Sequence, residues 1–346
     1  MREKFKNIIR GILGDNFTEA FLQKAKKNRS LFYLLTNTYS DFRLYYQYST
    51  LFKLDNLKKE EALLILDYHS IEKGMLYLNM KPRFAQNRVE RIHKYLKSEN
   101  LLENLNRTQI EVTLKVMCKY YEIHQEKNIN IEDYFSQELY EKYKLLLKNN
   151  YVKEFSGAID SSYEDFYQNA SASFDKFAIS RKSIRTYTGE KVKPELIEKA
   201  ISLSLTAPSV CNRQANTVYL LEDKEKIDKV LKIQGGFTGY EEKVSQLLIL
   251  TNNRNYYYTV GERNQFYIDG GVFLLNLLYS LHFYNIASCP ANWGKMVKDE
   301  KELDKIISIP KSEKIICLIP IGIATANFRV TLSKRRNVEE TLKKLQ

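Results

Sequence analysis

The run Ser180-Arg181-Lys182-Ser183-Ile184-Arg185 marks the point at which the chain changes character. Upstream of it, apolar residues recur every three or four positions with almost no β-branched alternation, the pattern of amphipathic helices. Downstream, helical and strand patterns alternate, as in an α+β domain with few strands. The residues from Gly157 to Ser173 are small and polar around scattered aromatics, so the boundary between the two regions is expected near residue 170. This predicts an all-α N-terminal domain over 1–170 and an α+β domain over 171–346.

Working outward toward the N-terminus, Leu63, Leu66 and Ser70 share one face of a predicted helix that Gly74 can end. Further helices are predicted from Val89, Ile92 and Leu96, from Ile110, Leu114, Met117 and Tyr121, and from Tyr140, Tyr143 and Leu147. Phe5, Ile8, Ile9, Ile12 and Leu13 form an apolar stripe beside Lys4, Lys6 and Arg10, which allows interfacial membrane contact but is expected to pack on its own domain. Toward the C-terminus, Pro194 suits the first turn of a helix bearing Leu196, Ile197, Ala200 and Ile201, which the Ala207-Pro208 step should end. Strands are expected at 217–221, 247–251 and 315–324, and helices at 224–232 and 264–282. Pro320 within the last strand predicts an edge position or a bulge.

With 346 residues, 44% hydrophobic and 28% charged, the chain is long and apolar enough for one or two sizeable cores, which excludes disorder and a disulfide-stapled miniprotein. The net charge is +12, and it is uneven. Residues 1–175 hold 27 basic and 24 acidic groups, whereas 176–346 hold 27 basic and 18 acidic. A basic half attracts polyanions or phosphate-bearing small molecules. The longest basic run is only Lys334-Arg335-Arg336, so no nucleic acid is expected as a partner. Cys118, Cys211, Cys289 and Cys317 form no C-x-x-C pair, which fits reduced thiols. No signal peptide is recognisable, and the apolar stretch Val272 to Ala287 is broken by Asn276, His282 and Asn285, so a cytoplasmic protein without a transmembrane segment is expected.

Three clusters carry candidate chemistry. In an extended segment Arg181, Ser183 and Arg185 share one face, so two guanidinium forks and a hydroxyl can converge on one anion. The loop Ala207-Pro208-Ser209-Val210-Cys211-Asn212-Arg213-Gln214 gathers hydroxyl, amide and guanidinium groups suited to reading the edge of a polar heterocycle. Lys334-Arg335-Arg336 supplies a further basic group near the end. In the helical half, His69 with Glu72 and Glu90 with His93 each place an imidazole and a carboxylate one helical turn apart. Without further glutamates to complete a carboxylate cage, salt bridging and packing are expected there, not a metal. The stretch Asp67 to Gly74 is also a candidate to contact the second domain near its pocket.

Taken together and in this order, the clusters resemble the nitroreductase-like family of FMN-dependent oxidoreductases over about Ser180 to Val338. The resemblance implies a mostly antiparallel sheet flanked by helices and a homodimer with FMN at its interface. It implies that Arg181 and Ser183 meet the FMN phosphate and ribityl chain and that Arg185 lies near the pyrimidine edge, where a fixed positive charge favours hydride acceptance. Ser209, Asn212 and Gln214 match a polar loop that the other subunit supplies, and Arg335 or Arg336 would close on the phosphate. Pro290, Ala291 and Asn292 match the turn beside flavin N5, with Ala291 and Asn292 the candidate catalytic positions. Asn292-Trp293 stands where an acidic residue and glycine are common, and Lys243 matches a lysine that approaches the flavin. The absence of G-x-G-x-x-G and Walker A loops makes NAD(P)H a transient co-substrate without a fold of its own.

The activity implied is ping-pong hydride transfer between NAD(P)H, such as NADPH, and an electron-poor or unsaturated small molecule. The alternative is a non-catalytic flavin-fold scaffold that recruits a partner through its helical half.

Overall fold

The computed structural model describes residues 14–77, 79–152, 155 and 157–345. The chain divides into two compact units, Met1–Leu54 with Tyr257–Arg263, and Asp55–Tyr256 with Asn264–Gln346. The N-terminal stripe Phe5 to Leu13 lies outside the described residues. In the smaller unit, helix α1 (Asp15–Tyr48) starts after Gly14, and Thr18 Oγ1 donates to the Gly14 carbonyl at 2.8 Å. Asp41 of α1 receives Arg263 through Nε at 2.8 Å and Nη2 at 2.7 Å. Phe32, Tyr39 and Phe42 on α1 are exposed.

The larger unit begins with four long helices, α2 (Leu57–Gly74), α3 (Gln86–Tyr95), α4 (Thr108–Glu126) and α5 (Gln137–Leu147), which share one core built on residues such as Leu64, Ile71, Ile92, Leu114 and Tyr120. Asn56 caps α2 by accepting from the Lys59 amide at 3.2 Å. The expected faces of the last three helices are the buried ones, but α2 differs. Its buried line is Glu61, Leu64, Asp67, Tyr68, Ile71 and Glu72, while Leu66 is exposed. Charged residues hold interior positions because they are paired. Asp67, 1% exposed, receives Arg88 Nη1 at 2.7 Å and Arg91 Nη2 at 2.6 Å.

Strand β1 (Ala158–Ser162) leaves this helical core and pairs antiparallel with β7 (Asn327–Thr331). Between them lie α6 (Phe174–Ser180), α7 (Pro194–Ser204), β2 (Asn216–Leu221), α8 (Lys224–Gln234), β3 (Gln246–Asn253), α9 (Gln265–Phe283), β4 (Ala287–Ser288), β5 (Ala291–Asn292) and β6 (Glu313–Gly322). The main sheet runs β2-β3-β6-β4, with β5 also on β6, and every pairing is antiparallel. Alternation along β3 explains the layering: Leu247 and Ile249 enter one core with Ile227, Val230 and Leu318, while Leu248 and Leu250 enter another with Phe273, Leu277 and Ile319. The residue-170 junction therefore falls inside the larger unit, where the helical core reaches Ala158 and the next begins at Phe166.

Pro320 is not on an edge strand, since β6 has neighbours on both sides. Its carbonyl accepts from the Cys289 amide at 3.2 Å, so the missing N–H points at the gap between β4 and β5, where no ladder bond is interrupted. The bulge on β6 lies elsewhere, leaving Ile316 unpaired opposite Leu250 and Thr251. Helix α9 is long and apolar enough by composition to cross a membrane, and about half of that stretch is buried between α7 and the sheet.

Candidate functional site

A cavity of about 730 Å³ opens where α6 hands over to the Arg181–Arg185 segment, beside the stretch that follows β7. Arg181, Lys182, Ser183, Tyr279, Ser333 and Arg335 contribute to its wall, and no carboxylate does so among the described residues. The end of α6 is tied to α9 through Ser180 Oγ and His282 Nε2, 2.8 Å apart. Burial, with Arg181 nearby, holds the His282 imidazole down at about 4, so it is neutral near pH 7. Arg181 Nη1 is buried without a partner. Burial lowers the Arg181 pKa, and burial followed by the charges of Arg335 and Arg181 lowers that of Lys182. Cations that burden one another in this way, with no acid in the wall, favour an incoming anion.

Arg185 faces a different cavity. It is 9% exposed, its Nε and Nη1 are buried without partners, and it lines a space of about 550 Å³ with Tyr77, Tyr187, Tyr240 and Lys243. Between the two cavities the chain is pinned by the Ile184 amide, which donates to the Ser288 carbonyl at 3.0 Å, and by Tyr187 Oη, which donates to the Ile184 carbonyl at 2.9 Å. The three alternating side chains therefore do not converge on one anion. Arg181 and Ser183 serve one end of an extended segment and Arg185 the other, roughly 13 Å along at ~3.3 Å per residue.

Cys289 is buried between the ends, within hydrogen-bonding reach of Ser183, and burial raises its pKa against the charges of Arg185, Lys73 and Arg181. Lys73, at the end of α2, is a site residue that the sequence did not single out. Its pKa is lowered by burial and then by Arg185, and its carbonyl accepts from Tyr240 Oη at 2.6 Å. Tyr77 stacks on Tyr240 with ring centres 4.5 Å apart. The end of the stretch Asp67 to Gly74 thus touches Tyr240, which lines the second cavity, while the lining itself begins at Leu76 and Tyr77; no local sequence signal distinguishes Lys73 from the other lysines. His69 Nδ1 is 3.0 Å from Glu72 Oε2, whereas His93 Nδ1 is bonded to Tyr143 Oη at 2.6 Å and not to Glu90.

Of the remaining candidates, the loop Ser209 to Gln214 and the turn Pro290 to Asn292 line neither cavity, whereas Lys243 borders the second and Arg335 and Arg336 the first. Ser209, Asn212 and Gln214 form a self-bonded turn in which the Gln214 amide donates to Ser209 Oγ and Gln214 Nε2 to Asn212 Oδ1, each at 3.0 Å. Cys211, Asn212 and Gln214 all have positive φ, near 50°, a strained conformation for non-glycine residues. Pro290 separates β4 from β5. Ala291 is buried against β6, and Asn292 is exposed with its carbonyl accepting from Gln234 Nε2 at 3.0 Å. Lys243 is largely exposed beside Glu242. Arg335 and Arg336 are separated by their partners. Arg336 Nη1 bonds Glu61 Oε1 at 2.9 Å and Glu340 Oε2 at 3.0 Å, whereas Arg335 makes no ion pair among the described residues and donates to the Ser333 carbonyl at 3.2 Å.

Residues 178–249 match the family model of the Nitroreductase family. The chain is also 38% identical over 61 residues to the FMN reductase [NAD(P)H] of Bacillus subtilis (strain 168), a match covering 18% of this chain and 24% of that relative. It therefore spans about a quarter of the length of the curated relative. Similar solved structures include a nitroreductase-like protein from Streptococcus mutans, 20% identical, covering 50% of this chain and 98% of that one with a TM-score of 0.42. Another is an FMN-dependent nitroreductase from Clostridium difficile R20291, 17% identical, covering 48% and 92% with a TM-score of 0.38.

Proposed function

We propose that this chain is an FMN-dependent oxidoreductase that uses NAD(P)H to reduce an electron-poor or unsaturated small molecule by ping-pong hydride transfer. The observation that carries this reading is a pair of arginines with buried, unpartnered guanidinium nitrogens, the half-buried Arg181 and the buried Arg185, facing two cavities at opposite ends of one segment. A dianionic phosphate suits the Arg181, Lys182, Ser183 and Arg335 end. The Arg185 end, with the charge of Lys73 behind it, suits a ring that becomes negatively charged when reduced. Bound FMN would supply the hydride chemistry. The chain's residues bind the phosphate, fix the ring's orientation and hold positive charge at its edge.

The polar loop Ser209 to Gln214 lines neither cavity of its own chain, and its Val210 amide is anchored to Asp269 of α9. The outer face of α9 exposes Tyr267, Ile268, Val272 and Leu275. Both observations support a homodimer in which each subunit lends this loop to the other's flavin, with Ala291 and Asn292 beside the reacting edge. Purified protein should be yellow or take up FMN with micromolar or tighter affinity, and NAD(P)H should bleach its visible band. Arg181→Ala should weaken FMN binding by about tenfold or more, as expected for removal of a charge-assisted bond. A colourless protein that binds no added FMN refutes the assignment.

A further inference from the structure

The C-terminal stretch that brings Arg335 to the first cavity is held by the helical region at four points. The Lys334 carbonyl accepts from Gln109 Nε2 at 3.1 Å, and the Asn337 amide donates to Thr108 Oγ1 at 3.4 Å. Glu340 Oε1 accepts from the Thr108 amide at 3.0 Å and also from the Thr108 hydroxyl. Arg336 reaches Glu61, a carboxylate 2% exposed on α2, which is also gripped by Arg107 through Nε at 3.2 Å and Nη2 at 2.7 Å. Lys334, Arg335, Arg336 and Asn337 all border the cavity, but Arg336 is engaged by Glu61 and Glu340, whereas Arg335 makes no ion pair among the described residues and its charge acts on Arg181 and Lys182.

We infer that Glu61 and Glu340 are positioning residues for phosphate binding: by fixing Arg336, they set the backbone from which Arg335 meets the phosphate of the flavin. The inference rests on the FMN-binding role proposed above. It gives the helical half, which lies upstream of the matched family stretch, a task in cofactor recognition. Arg336 is then a structural clasp and Arg335 the ligand. Holding the strap in place lowers the conformational entropy lost when Arg335 engages an anion. The buried Glu61 carboxylate can do this because two guanidinium groups neutralise it.

Full-length wild type, Glu61→Gln, Glu340→Gln and Arg335→Ala should be titrated with FMN and with riboflavin, which lacks the phosphate, by flavin fluorescence. The inference expects both glutamate variants to lose about tenfold of the preference for FMN over riboflavin, with riboflavin affinity within twofold of wild type, as for Arg335→Ala. Equal loss of both ligands would mean general destabilisation, and an unchanged preference would mean an idle strap; either overturns the inference. Glu340 is less buried than Glu61 and decides the matter should Glu61→Gln fail to fold. A wild type that binds neither flavin overturns the functional assignment as well, whereas a wild type that prefers FMN alongside unaffected variants overturns the strap alone.

Discussion

Arg185 shows how a single side chain can be costly to the fold and valuable to a site. A guanidinium nine-tenths buried with two nitrogens unpartnered forfeits hydration that no described residue restores. Lys73 adds a second cation whose pKa is lowered by burial and then by the charge of Arg185, and Cys289 stays a neutral thiol because it is buried. A bound anion would resolve this frustration. Arg185→Met, which keeps the length and removes the charge, should therefore stabilise the flavin-free protein by about 1–2 kcal/mol while lowering flavin affinity by about tenfold or more. Urea unfolding of flavin-stripped protein, set beside flavin titration, tests both. Destabilisation of the flavin-free form would show that Arg185 is already satisfied within the chain.

Strand β6 and helix α9 show how the elements are fitted together. The bulge at Ile316 pushes its side chain toward α9, and the helix answers with Gly270, where an added Cβ would lie 2.6 Å from Ile316 Cγ1 and 2.8 Å from its Cδ1. Gly270→Ala gains up to about 1 kcal/mol of helix propensity but overpacks the contact at a cost of about 1–3 kcal/mol. The expected net loss is about 1 kcal/mol. Truncating the opposing side chain as well should recover most of the clash, so a double-mutant cycle of Gly270→Ala with Ile316→Ala, measured by chemical denaturation, should show sub-additive losses. Additive losses would mean that the two residues do not press on each other. Neither the bulge nor the glycine's purpose was readable beforehand, because Pro320, the residue that suggested irregularity, sits at a gap between two short partner strands instead.

For the assembled molecule, the proposed dimer makes the exposed flank of α9 a subunit contact, so Ile268→Glu with Val272→Glu should give monomers by light scattering and reduce FMN affinity in parallel. A dimer that survives with full flavin binding would place the interface elsewhere. Much of the larger unit was legible in advance. The periodicities of α3, α4, α5, α7 and β3 are local properties of the chain, and local steric and hydrophobic rules translate them directly into elements. Helix α2 was located but given the wrong inner face, because Glu61, Asp67 and Glu72 hold interior positions that apolarity alone never assigns to acids. The cations of the Arg181–Arg185 run were visible as an inventory, but their division between two cavities was not. Local order along the chain thus determined the kinds of element and the supply of charge. Packing alone decided that Lys73 lies beside Arg185, that Glu61 clasps Arg336 and that Arg335 is left over, because those distances depend on how elements over a hundred positions apart bury their faces together.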